Sequence, residues 1–351
     1  MATSAAPAPG SSIADAPQSG DGARKRRHRT PGGMGWMLPG FVVSAGLIYA
    51  CVVYVAWVSL LAWDWRPILP PVIEGLDNYV RAFEDRIFWM SLSHTVVFFI
   101  GSFVVLVAVG IIFAAMLHSK VYLPTLFKII IFTPVVIAPA IMAPVHRRVW
   151  AVDGPVNAVL EWIGLVNVTG TGTREWTGWL ASVLNAIGLE ELTPNWIQPT
   201  TSLWVIVAAQ LFSSVGISFI LFYAAMGQVD PSTLEAARID GAGNVRTLWS
   251  IVVPAVRPTI LSLAILHAIT SLKLFEYPYL ITAGGPANSS EFLGTHIYNQ
   301  LFGISNNYGY ASALSVLLFA LSLGVAIAMS RSARERNPRP RRIKKKAVSN
   351  V

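Results

Sequence analysis

EAARIDGAGNVRTLWSIVVP, residues 235–254, is a polar, patterned insert between two long apolar runs of the chain. Just upstream, Asp230 suits a helix cap and Pro231 a first helical position. Glu235, Ala236, Ala237 and Arg238 are good helix formers, and Gly241 is placed to end the helix. Asn244 is expected to cap a second helix. There Val245, Leu248, Trp249 and Val252 recur at i, i+3, i+4 and i+7, a stripe expected to rest on the membrane surface or the bundle. Pro254 and Pro258 lead into the next apolar run. The insert therefore reads as a compact knob of two short helices. Ala236 and Ala237 leave room for a partner to approach, and Glu235 and Asp240 offer charges to orient it. The same pattern also describes an ordinary solvated elbow.

The surroundings decide what the knob is attached to. Of 351 residues only 13% are charged, while 54% are hydrophobic; a soluble domain carries about a quarter charged residues. Uncharged runs cover 30–63, 87–119, 192–229 and 292–330, each longer than the roughly 20 apolar residues that cross a bilayer as a helix. Shorter runs at 129–146 and 258–272 complete two more spans with flanking residues. The chain reads as an all-α, polytopic membrane protein with spans near 36–61, 92–117, 126–143, 201–227, 259–282 and 311–330. The third contains Pro134, Pro139 and Pro144, which a kinked helix tolerates when its neighbours satisfy the freed carbonyls.

Six spans put both ends on one side, and both ends are basic: RKRRHR at 24–29 and RSARERNPRPRRIKKK at 331–346. The positive-inside rule places both termini, and the knob with them, in the cytoplasm of a cell whose plasma or inner membrane holds the chain. The expected organisation is a disordered basic tail over 1–33, a transmembrane domain over 34–330 with its polar loop at 228–257, and a second basic tail over 331–351. Beside a membrane such tails fix topology and meet anionic lipid rather than nucleic acid. The apolar run after the first tail is too long for a cleavable signal. The lone Cys51 supports no disulfide framework. The third loop, 146–200, carries AVLEWIGL (158–165) and SVLNAIGL (182–189). Both read as short amphipathic helices that end at Gly. With Trp162, Trp176, Trp179 and Trp196 around them, they are expected to lie along the outer surface.

Catalytic chemistry is missing from the pattern. The six His residues are scattered, without HExxH or ligand spacing, so no metal site is expected. There is no G-x-S-x-G elbow, and no Lys directly follows a Gly, which excludes a GxxxxGK[ST] phosphate loop. The chain reads as a non-enzyme that binds no cofactor; if ATP drives it, another chain hydrolyses the ATP.

EAARIDGA…I..P...P resembles the EAA motif, the cytoplasmic coupling loop of permease subunits of binding-protein-dependent ABC importers. Glu235, Ala236, Ala237, Asp240, Gly241, Ala242, Ile251, Pro254 and Pro258 stand at the motif's positions. FEYPYLITAGGPANSS (275–290) and NNYGYASALSVLLF (306–319) resemble the carbohydrate-importer branch, in particular subunits similar to the larger maltose permease subunit. The resemblance covers about 36–330, and the third loop is longer than in minimal members. It implies a six-helix permease bundle and a second permease subunit. It further implies two ATP-binding subunits that hold ATP and Mg, and an extracytoplasmic solute-binding protein. For such a protein Lys273 and Glu276, one helical turn apart in the fifth span, become candidates for the substrate path. Ionisable groups at that depth face a wet interior or satisfy each other. Phe275, Tyr277, Tyr308 and Ser312 add the aromatic and hydroxyl groups that suit a sugar. Two alternatives remain open: an ion-gradient-driven secondary transporter, which has no need of the coupling motif, and a phosphorylated polyol as the cargo.

Overall fold

The structure, a computed structural model, describes residues 33–64, 70–119, 122–168, 173–186, 194–303 and 306–336. Most of both basic tails, and the end of the SVLNAIGL stretch, lie outside the described residues. The first unit, up to Cys51, holds most of α1 (Gly33–Val58). Its Phe41, Val43 and Leu47 are exposed, as expected of a helix that is apolar all round and covered by lipid.

The second unit begins at Val52. A two-residue hairpin pairs β1 (Leu61–Ala62) with β2 (Val72–Ile73). α2 (Asp77–Glu84) and the 33-residue α3 (Arg86–His118) follow. Next come α4 (Pro124–Val136) and α5 (Pro139–Val149). The loop beyond folds as α6 (Pro155–Trp162), the pair β3 (Val166–Val168) and β4 (Arg174–Trp176), and α7 (Gly178–Ala186). α8 (Ser202–Met226) leads into the knob, formed by α9 (Pro231–Ile239), α10 (Asn244–Thr247), a π-turn over Leu248–Val252, and α11 (Val253–Ala255). α12 (Arg257–Leu272), α13 (Glu276–Thr282), α14 (Leu293–Phe302) and α15 (Tyr308–Arg336) complete the chain.

Four of these helices are long and apolar enough to cross a membrane, and the count reaches six where each of two bent helix pairs is taken as one broken span. Both bends correct the sequence-based spans. The third span is not one kinked helix, because α4 and α5 meet at 98°. Pro139 starts α5 and holds Ala138 before it in extended backbone, which Ile137 shares, while Pro134 and Pro144 stay inside helices. The fifth span does not run to Thr282. α12 stops at Leu272, and Lys273, Leu274 and Phe275 are not helical. A continuous helix would have driven the Pro278 ring into the carbonyl of Leu274; restarting at Glu276 puts that proline in a first turn, where no N–H is missed. The other bent pair is therefore 244–255 with α12, at 64°. α15, in turn, continues past Ser330 into the basic tail as far as Arg336.

Packing follows from small residues at crossing points. A Cβ on Gly110 of α3 would stand 2.9 Å from Phe222 of α8, so these two helices touch at backbone distance. Three apolar cores result among the described residues, the smallest holding Ala82, Phe88, Leu293, Tyr310 and Leu314, and two of them frame the knob and the far end. One, at the knob end, gathers Ile111, Ala114 and Leu117 of α3, Phe219 and Phe222 of α8, and Leu263 of α12. The other, at the far end, gathers Phe98, Met142, Ala143, Tyr277, Ile281 and Phe292. In the long loop, Asn157 is fully buried and organises its surroundings. Its Nδ2 donates to Val152 O at 2.9 Å and Pro194 O at 2.7 Å, and its Oδ1 accepts from Trp196 Nε1 at 2.8 Å. Trp176 meets Trp196 edge-on, so of the four Trp expected at the surface only Trp162 and Trp179 are exposed.

Candidate functional site

The knob is built by its own ends. Asp230 Oδ1 accepts the Ser232 N–H at 2.9 Å, and Pro231 opens α9. That backbone hydrogen bond holds the Asp230 carboxyl below its ordinary range. At the other end Gly241 N–H donates to Arg238 O at 3.1 Å and Ala242 N–H to Ala237 O at 2.9 Å. This paired closure needs a left-handed residue, and Gly241 has φ +76°. The cap of α10 differs from the expectation: Asn244 is its first helical residue, and Gly243 precedes it as a cap without a side-chain hydrogen bond. Pro254 has no N–H to give, and the last donor before it, Val253, reaches back five residues to Leu248 O.

Of the coupling residues read from sequence, Glu235, Ala236, Asp240, Gly241 and Pro254 are exposed, Ala242 and Ile251 are half-buried, and Ala237 is buried. The expected apolar stripe splits in two. Leu248 and Val252 pack on the knob-end core, whereas Val245 is 71% and Trp249 65% exposed. Ile239, which periodicity left unremarked, is 86% exposed at the end of α9. An exposed set of large apolar side chains on a knob marks a surface that something else covers.

The substrate-path residues do not converge as a single cluster. Lys273 is exposed and lines a groove of about 330 Å³ between α12 and α15, with Ser315 and Ser322 among its walls. Glu276, the exposed first residue of α13, makes no ion pair with Lys273 among the described residues, so the helical-turn pairing is overturned by the break at 273–275. Phe275 stacks on Tyr279 at 5.2 Å. Tyr277 is buried, with its hydroxyl on Ser213 Oγ. Tyr308 and Ser312 begin α15 half-buried, the Tyr308 ring 5.7 Å from Trp63. Sequence reasoning passed over Gln210, Ser213 and Ser214, a polar i, i+3, i+4 set inside α8 where Gln210 Nε2 donates to Ser214 Oγ at 2.9 Å.

It also passed over two acids at the far end. Asp85 caps α3, its Oδ1 accepting the Ile87 N–H at 2.7 Å; its Oδ2 accepts the Tyr310 hydroxyl at 2.6 Å and His296 Nε2 at 3.2 Å. Burial works to raise this acid, but the hydrogen bonds from Tyr310, Ile87 and His296 together hold it below the usual carboxylate range. Burial pushes His296 down, against the opposing pull of the Asp85 carboxylate on which its Nε2 rests. Glu291 is 2% exposed, and burial pushes its carboxyl up to about 7. Asn299 Nδ2 donates to it at 3.2 Å.

Known proteins align with most of this chain. A family model described as binding-protein-dependent transport system inner membrane component matches residues 87–336. The lactose transport system permease protein LacF of Rhizobium radiobacter is 31% identical over 247 residues, 70% of this chain and 75% of its own. The probable ABC transporter permease protein YurN of Bacillus subtilis is 27% identical over 293 residues, 82% and 92% of the two chains. A solved bacterial alginate ABC transporter, in complex with an alginate pentasaccharide-bound periplasmic protein, superposes with a TM-score of 0.66. It covers 87% of this chain and 94% of that one at 20% identity, a likeness of fold.

Proposed function

This chain belongs to the family of binding-protein-dependent transport system inner membrane components, and we propose that it forms half of the translocation pathway of an ATP-driven importer of carbohydrates. A second permease subunit completes the pathway, and a solute-binding protein delivers the sugar from outside. Two ATP-binding subunits hold ATP and Mg, so hydrolysis takes place off this chain. Both termini and the knob face the cytoplasm, and Trp176 and Asn288 face outward.

The knob carries the reading. It is a helix closed at both ends by its own residues, and it presents Glu235, Ala236, Asp240, Gly241 and Ala242 beside the uncovered Ile239, Val245 and Trp249. Seated in a groove of an ATP-binding subunit, it moves when ATP closes that subunit on its twin. Because Leu248 and Val252 pack on the knob-end core, to which α3, α8 and α12 all contribute, the displacement passes to the spans as a rigid-body tilt. Ala237, Ile251 and Pro254 act from behind, by holding the knob's shape. For the cargo, support comes from relatives named for lactose and for multiple sugars. Lys273, Phe275, Glu276, Tyr277, Tyr308 and Ser312 border the path, with ring faces and hydroxyls that suit a sugar.

Purification from native membranes tests the assembly. An ATP-binding subunit should accompany this chain, and vesicles holding the complex should take up labelled di- or oligosaccharides only with ATP. Consistent absence of an ATP-binding subunit defeats the proposal. On a Cys51→Ser background, Asn288→Cys should label from outside and Ala236→Cys only from the cytoplasm; external labelling at 236 overturns the orientation.

A further inference from the structure

At the knob end, three helices meet on one aromatic ring. Tyr223 lies one turn before the end of α8, immediately upstream of the knob. The Lys128 ammonium of α4 sits 4.2 Å from the centre of its ring, and Lys128 Nζ also donates to its hydroxyl at 3.1 Å. The His118 ring, from the last turn of α3, stacks on it at 4.7 Å and 26°. The Tyr223 carbonyl can only accept, so His118 Nε2 carries the proton of the 3.0 Å bond between them.

α4 depends on this contact more than α3 does. α3 and α8 share a buried core, whereas α4 has no fully buried side chain. It packs on α8 midway along, where a Cβ on Gly216 would stand 2.6 Å from Val135 and 2.8 Å from Ile131 O. Near its start, Lys128 is its polar tie to the same helix. Beyond the 98° bend, α5 places Met142 and Ala143 in the far core, against Tyr277 and Ile281 of α13. A continuous chain of contacts therefore runs from the knob through α8, Tyr223 and Lys128 to α4, around the bend, and into the segments that border the path.

We propose that Lys128 and Tyr223 are positioning residues that deliver the knob's displacement to α4 and α5, an inference that rests on the importer reading. A cation held over a ring and bonded to its hydroxyl is directional, so α4 follows the end of α8 as it tilts instead of sliding along it. Arginine can supply the same cation and donors, and Met cannot.

The test uses the assembled transporter on a Cys51→Ser background. Single cysteines are placed at Ser232 on the knob and at Ile141 on α5, both exposed, and alkylation rates are compared with and without ATP plus vanadate. In the parent both rates should respond to nucleotide. Tyr223→Leu and Lys128→Met should lose the response at 141 and keep it at 232; Lys128→Arg should keep both. Tyr223→Phe, which keeps the ring under the ammonium, should lose only part of the 141 response. Retention of both responses in Tyr223→Leu and Lys128→Met overturns the relay. Equal loss at both positions makes Tyr223 a folding residue and overturns it too. A parent whose 232 site responds while its 141 site does not defeats the relay alone; one whose 232 site ignores nucleotide defeats the importer reading and the relay with it.

Discussion

Gly241 and Gly284 share a backbone conformation, with φ of +76° and +83°, and differ in what surrounds them. A Cβ on Gly241 would meet nothing within 4 Å, whereas one on Gly284 would fall 1.7 Å from Glu291 Oε2. The knob-end glycine closes a helix whose outer face this chain leaves open. The far-end glycine closes a turn, with Ser290 Oγ donating to Gly285 O at 2.7 Å, over an acid that the fold has already enclosed. One region leaves its outer face open, and the other is filled by the chain itself. Damage to the first should cost assembly and spare the fold, and damage to the second should do the reverse.

The largest stability effect is expected at Gly284→Val. Left-handed backbone strain and a forced overlap with a buried carboxylate act together, for a loss of roughly 4 kcal/mol or more. Thermal unfolding in detergent should show a much lower midpoint and a poor yield of folded protein. A midpoint close to that of Gly241→Val would break the comparison.

Glu291 itself gives the next effect, with a sign fixed by protons. Its folded carboxyl titrates at about 7 and its ordinary value is 4.5. Between those values the folded state holds more protons on this carboxyl than the unfolded one does. The contribution of Glu291 to stability therefore falls as pH rises from about 4.5 to about 7 and then levels, while the downshifted His296 contributes with the opposite sign. The Glu291 contribution is at most roughly 3 kcal/mol. Glu291→Gln should remove this contribution, so the variant gains on the parent as pH rises and unfolds later than the parent at pH 8. Unfolding midpoints from pH 4.5 to pH 8 decide it; parallel curves for the two proteins would show that the acid is solvated.

What was readable in the sequence follows the same division. The knob's caps are local: Asp230 acts on Ser232, and Gly241 lets Ala242 reach Ala237, so a short window of sequence contains cause and effect. The apolar spans are legible for the same reason. The break after Leu272 is hidden by the hydropathy of the 259–282 run, which is blind to the Pro278 ring that a continuous helix cannot hold. The split of the Val245, Leu248, Trp249 and Val252 stripe was beyond periodicity, which tells which residues share a face and not how much of it is covered. Asp85 was out of reach altogether, since its partners His296 and Tyr310 come from more than 200 residues away.

Gly241→Val should cost the fold little. Its strain is roughly 1 kcal/mol or somewhat more, with no overlap to add. Yet a branched side chain at that turn stands on the surface where an ATP-binding subunit would close in. The expected outcome is an unfolding midpoint near that of the parent, together with loss of the co-purifying ATP-binding subunit. Normal attachment and uptake in this variant would mean that the knob is not the joint.

The smallest effect is expected at Glu235→Lys, and it contrasts two glutamates as Gly241→Val and Gly284→Val contrast two glycines. Glu235 is exposed and makes no ion pair with the described residues of its own chain, so reversing its charge leaves the folded chain almost unchanged. In the proposed assembly its charge acts on another subunit, and an exposed ion pair is worth only about 0–1 kcal/mol. Attachment of the ATP-binding subunit should therefore weaken by a factor of roughly five or less, measurable as a shift in a binding titration against the purified subunit. Salt supplies the discriminating arm. If the charge is the cause, the gap between parent and Glu235→Lys narrows as ionic strength rises, because screening removes the attraction from one and the repulsion from the other. A gap that persists in high salt would assign the loss to the shape of α9, and attachment lost as completely as in Gly241→Val would remove the graded, electrostatic role given to Glu235.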